Sequence, residues 1–410
     1  MRRLPLLLLM LYVFAVPWEY SLDVGEPLGN AARIVGMALL AVVVPLVLRH
    51  GGPRRLGALQ WCVLALYLFF ACSYFWTVDG DATAEKIRAY AQVMMAVWLI
   101  WEVAKTPEDL HGLMRAWVAG CWVLAGLTML SYFTMGAAAG QVRFAAEGQD
   151  PNDVARFLDF GFAIATLEFA TEQRWWLRVM AMAYIPVGLL AVLLTASRGG
   201  FAGAFVAMVG VAALLVMWRP QAAAGVFGGL AVTVTALWLY VPAGTLERLA
   251  TITTEVQGGD WNDRTSLWAA GLRAFERAPW LGYGAGTFAS ASHLTATDTA
   301  HNTLLAVLVT GGLIGLALFM CVLVSVAVSI VRTQGLMRVA LVTTFAVWMI
   351  TSMVGSVEEN RATWVLFGMM ALAGRLTRES PKAMRLCFDT EAKQSQKRRG
   401  LAAAWHGSVG

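Results

Sequence analysis

The chain has 410 residues, 59% of them hydrophobic and 14% charged, with a formal net charge of +5. A soluble domain carries roughly a quarter charged residues, so the solvent of most of this chain is lipid. The small positive excess gives no support for a nucleic-acid partner, and what matters is where the cations fall relative to the apolar runs.

A helix crosses the hydrocarbon core with about 20 apolar residues. On that ruler the chain reads as twelve spans, near 4–18, 31–48, 57–77, 88–104, 112–134, 154–171, 177–196, 200–217, 222–241, 302–331, 337–354 and 362–376. Met1-Arg2-Arg3 and the following apolar run imitate a signal peptide. No small-x-small cleavage site follows, so the run is read as a retained first helix. Trp18, Trp76, Trp101, Trp218 and Trp364 fall near the predicted span ends, as an interfacial belt requires. Cys62, Cys72, Cys121 and Cys321 lie in apolar runs and Cys387 in the polar tail, which supports neither a disulfide framework nor a thiolate zinc site.

With twelve spans and an inside N-terminus, twenty of the 31 lysines and arginines fall inside and eleven outside. Short links such as Arg49–Arg55 carry the bias most clearly, which is where the positive-inside rule applies. The expected organisation is spans one to nine in 1–241, an outer loop in 242–300, spans ten to twelve in 301–376, and a basic tail in 377–410. Both termini lie inside, with the tail against the anionic inner leaflet.

The outer loop is the one long link, and it is not a plain linker. Residues 263–277 are predicted to form a helix, with Trp268, Gly271, Leu272 and Phe275 on one face. Asp260 or Asn262 is suited to cap it and Pro279 to close it. Such an amphipathic helix is expected to lie along the outer membrane surface. The glycine-rich stretch from Pro279 to Gly286 then makes a close-approach turn.

The outside arginines are informative because topology works against them. Arg198, in Thr195-Ala196-Ser197-Arg198-Gly199-Gly200, sits on a link a few residues long between two apolar spans. One reading is a snorkelling anchor. The other is an anion site, where Ser197 supplies a hydroxyl, Arg198 a planar fork, and the glycines let backbone N–H groups approach a phosphate. Arg264 opens the loop helix beside Asp260 and Asp263, so an ordinary ion pair competes with a ligand role. Arg143 and Arg156 flank Asp150-Pro151-Asn152-Asp153, in which Asp150 and Asn152 are suited to cap the next helix. Arg361 follows Glu358 and Glu359, again with an ion-pair alternative. His301 and Asn302 open the tenth span. The positive end of that helix disfavours imidazolium, and a neutral ring is able to accept a proton. Gly311 and Gly315 form a small-xxx-small pair for close helix packing. Asp79-Gly80-Asp81 imitates a carboxylate pair for a divalent cation, and His293, Asp298 and His301 form a weaker metal set. No nucleotide-binding loop or Ser-His-Asp signal is present.

Taken in order, four stretches resemble the bacterial O-antigen ligase superfamily, which includes O-antigen polymerases and protein O-oligosaccharyltransferases. They are Trp76-Thr77-Val78-Asp79, Asp150-Pro151-Asn152-Asp153, Thr195–Gly200, and the run from Arg264 through Pro279–Gly286 to His301-Asn302 and Gly311–Gly315. The resemblance implies an all-α, twelve-helix, GT-C-like membrane enzyme of the bacterial inner membrane with a large periplasmic loop, a periplasmic active site, and no cofactor or metal. It implies a glycan donor on undecaprenyl pyrophosphate and an acceptor hydroxyl, lipid A-core for a ligase or a growing glycan for a polymerase. The family's functional arginines and histidine map onto Arg198, Arg264 and His301, with inverting transfer as the expected reaction. Ser197, Arg143, Asn152, Asn302 and Arg361 are expected to bind substrate. Ligase is the favoured member and polymerase the nearest alternative. A lipid or glycan transporter is the alternative from another class; for it Glu102, Glu168 and Asp159 are the nearest ionisable residues, all expected toward span ends.

Overall fold

In a computed structural model, residues 3–25, 29–135, 142–222, 243–250, 264–295 and 298–388 are described, with short stretches of 224–235. The described residues are helical, and their one β-bridge joins Asp23 to Asn30. In chain order the helices are α1 (Arg3–Ala15), α2 (Ala31–Arg49), α3 (Ala58–Cys72), α4 (Gly80–Val103), α5 (Pro107–Met135), α6 (Pro151–Thr171), α7 (Trp175–Leu194), α8 (Arg198–Trp218), α9 (Ala243–Ala250), α10 (Arg264–Arg277), α11 (Phe288–Ala291), α12 (Thr303–Arg332), α13 (Gly335–Ser352), α14 (Arg361–Glu379) and α15 (Pro381–Phe388). A 3-10 turn, Val16–Ser21, extends α1.

Eight segments among the described residues are long and apolar enough to cross a membrane: α1 with its 3-10 extension, α2, α3, α5, α7, α8, α12 and α13. The chain is a multi-pass membrane protein. The expected ninth span, 222–241, falls largely outside the described residues, as do Asp260, Asn262 and Asp263 and residues 389–410. The expected spans at 88–104, 154–171 and 362–376 coincide with α4, α6 and α14, which are long enough but too polar to qualify by composition.

Their polarity has a packing reason. α6 is enclosed by α5, α7, α8 and α13 and is buried almost throughout, Arg156, Asp159 and Glu168 included. α14 packs between α4 and α12 and is buried from Ala362 to Leu376. Its Arg375 donates to the carbonyls of Trp101 at 2.8 Å and Ala104 at 2.6 Å, satisfying acceptors that the C-terminus of α4 leaves open, and stacks 4.3 Å from the Trp101 ring centroid. These helices answer to protein neighbours rather than to lipid, so a transfer scale undervalues them.

Three sequence expectations change here. Trp364 is fully buried, its indole N–H donating to the Glu358 carbonyl at 2.8 Å, so it is no interfacial anchor. On α10 the inward residues are Ala270, Gly271 and Ala274, and Leu272 is 49% exposed, because the helix packs along the N-terminal half of α12. Asp159 lies near the middle of α6 rather than toward its end, buried against Gly203 of α8 and Thr351 of α13.

Two glycine motifs interlock above α3. Gly312 breaks α12 with φ +61°, and the peptide from Pro279 to Gly284 docks into the break. There Leu313 N–H bonds the Pro279 carbonyl at 2.8 Å, and Gly284 N–H bonds that of Thr310 at 2.9 Å. A Cβ on Gly282 would lie 2.5 Å from the Thr310 carbonyl carbon. Gly311 and Gly315 pass close to the rings of Phe70 and Phe69 on α3.

Candidate functional site

The link between α7 and α8 is a tight turn whose polar groups are largely committed. Thr195 caps α7, and Ala196 adopts φ +48°, a left-handed conformation costly for a residue with a Cβ. Ser197 then caps α8, its Oγ accepting from Gly200 N–H at 3.1 Å. A Cβ on Gly199 would meet Val354 at 2.6 Å, and one on Gly200 would strike Ala155. The two glycines therefore bring α8 against α6 and the α13–α14 link. Their missing side chains are used for packing, and the Gly200 N–H is engaged by Ser197.

Cations gather around this turn from four segments. Arg143 donates through Nε to the Thr195 carbonyl at 3.3 Å and through a terminal nitrogen to Asn152 Oδ1 at 3.0 Å. The same Asn152 oxygen accepts from Ser197 Oγ at 2.8 Å, which ties the start of α6 to the start of α8. Arg248 of α9 donates to the Ala196 carbonyl at 3.3 Å, and Thr245 fastens α9 to the Val142 carbonyl at 3.1 Å. Arg264, the first residue of α10, lines a narrow crevice with Asn152, Arg156, Ser197 and Thr351. Arg156 is itself buried and donates to Asp153 at 2.7 Å. Asp150 caps α6 through the N–H of Asn152 at 2.7 Å, as expected, and its carboxylate acts on Arg143, Arg264 and His301 together.

His301 reaches this group from the start of α12. The Trp268 indole N–H of α10 donates to the Ala300 carbonyl at 3.0 Å, and His301 turns with φ +44°. Asn302 caps α12 by accepting from Leu305 N–H at 3.0 Å, so its Oδ1 is engaged by the helix end. Thr303 Oγ1 donates to the Gly355 carbonyl at 2.7 Å and accepts from Val357 N–H at 3.0 Å, which fixes this corner against the α13–α14 link.

The electrostatics are those of mutually repelling, partly buried cations. Burial and then Arg198 lower the pKa of Arg264, and burial and then Arg248 lower that of Arg143. Burial and then Arg264 lower that of His301, with Asp150, Asp298 and Asp153 opposing. Burial and a neighbouring guanidinium thus oppose protonation of the ring. On the same link, burial raises the pKa of Glu358, against the pull of Lys86.

Other sequence candidates lie elsewhere. Arg361 pairs with the buried Glu19 of the 3-10 turn and bonds Gln92 at 2.5 Å, so its acid partner is neither Glu358 nor Glu359. It lines an apolar slot between α2 and α4 and does not join the arginine cluster. Asp79 caps α4 and accepts from Ser290 Oγ at 2.8 Å, and these donors, the Ala82 N–H first, lower its pKa. It is a structural cap. His293 approaches Arg277 at 3.4 Å, and Asp298 closes a turn on Thr295. Among the described residues the one set of three side chains close enough to share a metal is His111, Glu168 and Glu172, near the opposite ends of α5 and α6. There Arg115 already bridges both carboxylates.

Arg248 is the residue that sequence reasoning missed. It is one of the eleven cations that the sequence reading assigns to the outside, but it stands in no motif.

No curated protein matches the chain. Residues 183–320 match the profile of a family described as O-antigen ligase. That stretch runs from α7 into α12 and contains Arg198, Arg248, Arg264 and His301, and over it this multi-pass membrane protein is similar to the O-antigen ligase family.

Proposed function

We propose that the chain transfers a glycan from undecaprenyl pyrophosphate to an acceptor hydroxyl on the periplasmic face of the bacterial inner membrane, as an O-antigen ligase acting on lipid A-core. The observation that carries this reading is the gathering of Arg143, Arg198, Arg248 and Arg264 beside a neutral His301 at one end of the bundle. A sugar nucleotide is not available outside the cytoplasm, so an activated donor at that surface arrives on lipid, and its diphosphate is the anion such a cluster suits.

The proposed reaction is one displacement with inversion. The acceptor oxygen forms a bond to the anomeric carbon as the bond from that carbon to the phosphate oxygen breaks, and the electron pair leaves with the diphosphate. His301 takes the hydroxyl proton. Arg198 and Arg264 hold the leaving group, a role worth a few kcal/mol per donor, while Arg143, Asn152 and Ser197 hold the turn that presents Arg198. Guanidinium groups carry the charge compensation in this scheme, so transfer is expected to survive a chelator.

The test is transfer by reconstituted protein with native lipid-linked donor. Arg198→Ala is expected to lose about 10²-fold, as for one removed donor. Arg198→Lys keeps the charge but not the fork and is expected well below wild type; near wild-type transfer would count against a two-pronged clamp. Deleting the gene separates the acceptor readings on a lipopolysaccharide gel: loss of all core capping supports ligase, and capping by single units supports a polymerase.

A further inference from the structure

At the far end of α8, α12 and α14, some 30 Å from the arginine crevice by the length of a 20-residue helix, lies a cavity of about 570 Å³. Trp218 of α8, Leu336 of α13 and Phe388 of α15 supply apolar wall, and Arg332, Arg378 and Arg385 supply cations. No carboxylate is among its lining residues. Two further guanidinium groups flank the Trp218 ring, Arg219 at 4.5 Å and Arg178 at 5.5 Å from its centroid. Arg385 leans across the opening to Gln334 at 3.4 Å.

The helix dipole and the positive-inside rule both favour arginine at these helix ends. They account for the charge but not for a hollow with an apolar wall and a cationic rim. A small inorganic anion would use the rim and leave the wall wet. The chain's own residues 389–410 are a poor occupant, because Lys393, Lys397, Arg398 and Arg399 outnumber Asp389 and Glu391 and would meet like charge. An amphiphile with an anionic head satisfies both parts, and basic pockets between membrane helices are known lodgings for such lipids.

We propose that this cavity binds an anionic phospholipid of the leaflet opposite the arginine crevice, its phosphodiester among Arg332, Arg378 and Arg385 and its upper chains against Trp218 and Phe388. The site is separate from the transfer chemistry and does not rest on it. Bound there, the lipid links α8, the α12–α13 turn, α14 and α15, four elements that few direct side-chain bonds join at this end.

The experiment is thermal unfolding of the full-length, delipidated protein in mild detergent, titrated separately with phosphatidylglycerol, phosphatidylethanolamine and inorganic phosphate. Phosphatidylglycerol is expected to raise Tm and the other two to leave it unchanged. Combined Arg332→Gln, Arg378→Gln and Arg385→Gln should abolish the rise, whereas Arg49→Gln, Arg54→Gln and Arg55→Gln, which neutralise the same number of cations on the same side, should keep it. If the first triple variant does not fold, Arg385→Gln alone, at an exposed position, should shift the titration to higher lipid concentration. An equal rise with phosphatidylethanolamine, a rise with inorganic phosphate, or equal loss in both triple variants would overturn the proposal.

Discussion

His301 is held where burial and Arg264 both oppose a proton, and the consequence is visible in pH. Its folded pKa lies below the ordinary imidazole value of about 6.5, so the neutral base survives into mildly acid solution and is lost as pH falls through the depressed value. The acid limb of kcat/KM, which reports the free enzyme, is therefore expected below about 6.5, and His301→Ala should remove it. A bound diphosphate reverses part of the shift, so the limb of kcat should lie higher than that of kcat/KM. A limb above the ordinary value in the free enzyme would remove His301 from the role of base. Arg248 offers a second check. It is fastened to the carbonyl of the strained Ala196 and acts on Arg143. Arg248→Gln keeps a donor while removing a charge; a roughly tenfold fall in kcat/KM, about 1.4 kcal/mol, with Tm unchanged, is the expected result. A matching fall in Tm would make Arg248 a strut of the turn instead.

Between elements, the decisive joint is the docking of Pro279–Gly284 into the break of α12. Gly312 needs a left-handed φ of +61°, and its missing Cβ leaves room for the Trp280 backbone. Gly312→Ala imposes both strain and collision, with the strain alone of order 1–3 kcal/mol. Because this joint steers the chain from α10 toward His301, transfer should fall more steeply than Tm. Gly315→Ala, which meets only the edge of the Phe69 ring at 3.0 Å, is the milder control; equal effects of the two would deny the joint a positioning role. The sequence made this region visible as two glycine-rich runs and made Gly311 and Gly315 legible as contact positions. It did not show that the runs bind each other, because backbone-to-backbone docking leaves no side-chain pattern. The same limit explains Asn302 and Asp79, polar residues of plausible chemistry that the structure assigns to helix caps. It also explains Arg361, whose partner Glu19 lies across the chain, where local spacing has no reach. Arg198 stood out because charge on a short link between apolar spans opposes hydropathy, whereas Arg264 and His301 were singled out at helix starts and by the resemblance of their motifs.

For the whole molecule, hydropathy and burial divide the helices into two populations. The eight composition-qualified segments all leave apolar residues facing outward, Leu48, Phe205 and Val331 among the most exposed. α4, α6 and α14 instead carry polar residues that fold inward, onto Glu359 from Lys86, onto Asp153 from Arg156, and onto the end of α4 from Arg375. Each is long enough for the bilayer at 1.5 Å per residue, and α6 and α14 are shielded by neighbours, so charged groups on them need not meet lipid. If these three also cross, and residues 222–241 form one more span, the count is even and both termini share a side. Single cysteines in a background lacking the five native ones test this with a membrane-impermeant maleimide on intact cells. Glu276→Cys on the exposed face of α10 should label from outside, whereas Glu108→Cys, in the first turn of α5, and Gln173→Cys, on the turn after α6, should label only after the membrane is opened. Labelling of Gln173→Cys but not Glu276→Cys from outside would mean that α6 crosses in the opposite sense. The arginine cluster at its head would then face the wrong compartment for a lipid-linked donor, which makes this placement the strictest condition on the proposed chemistry.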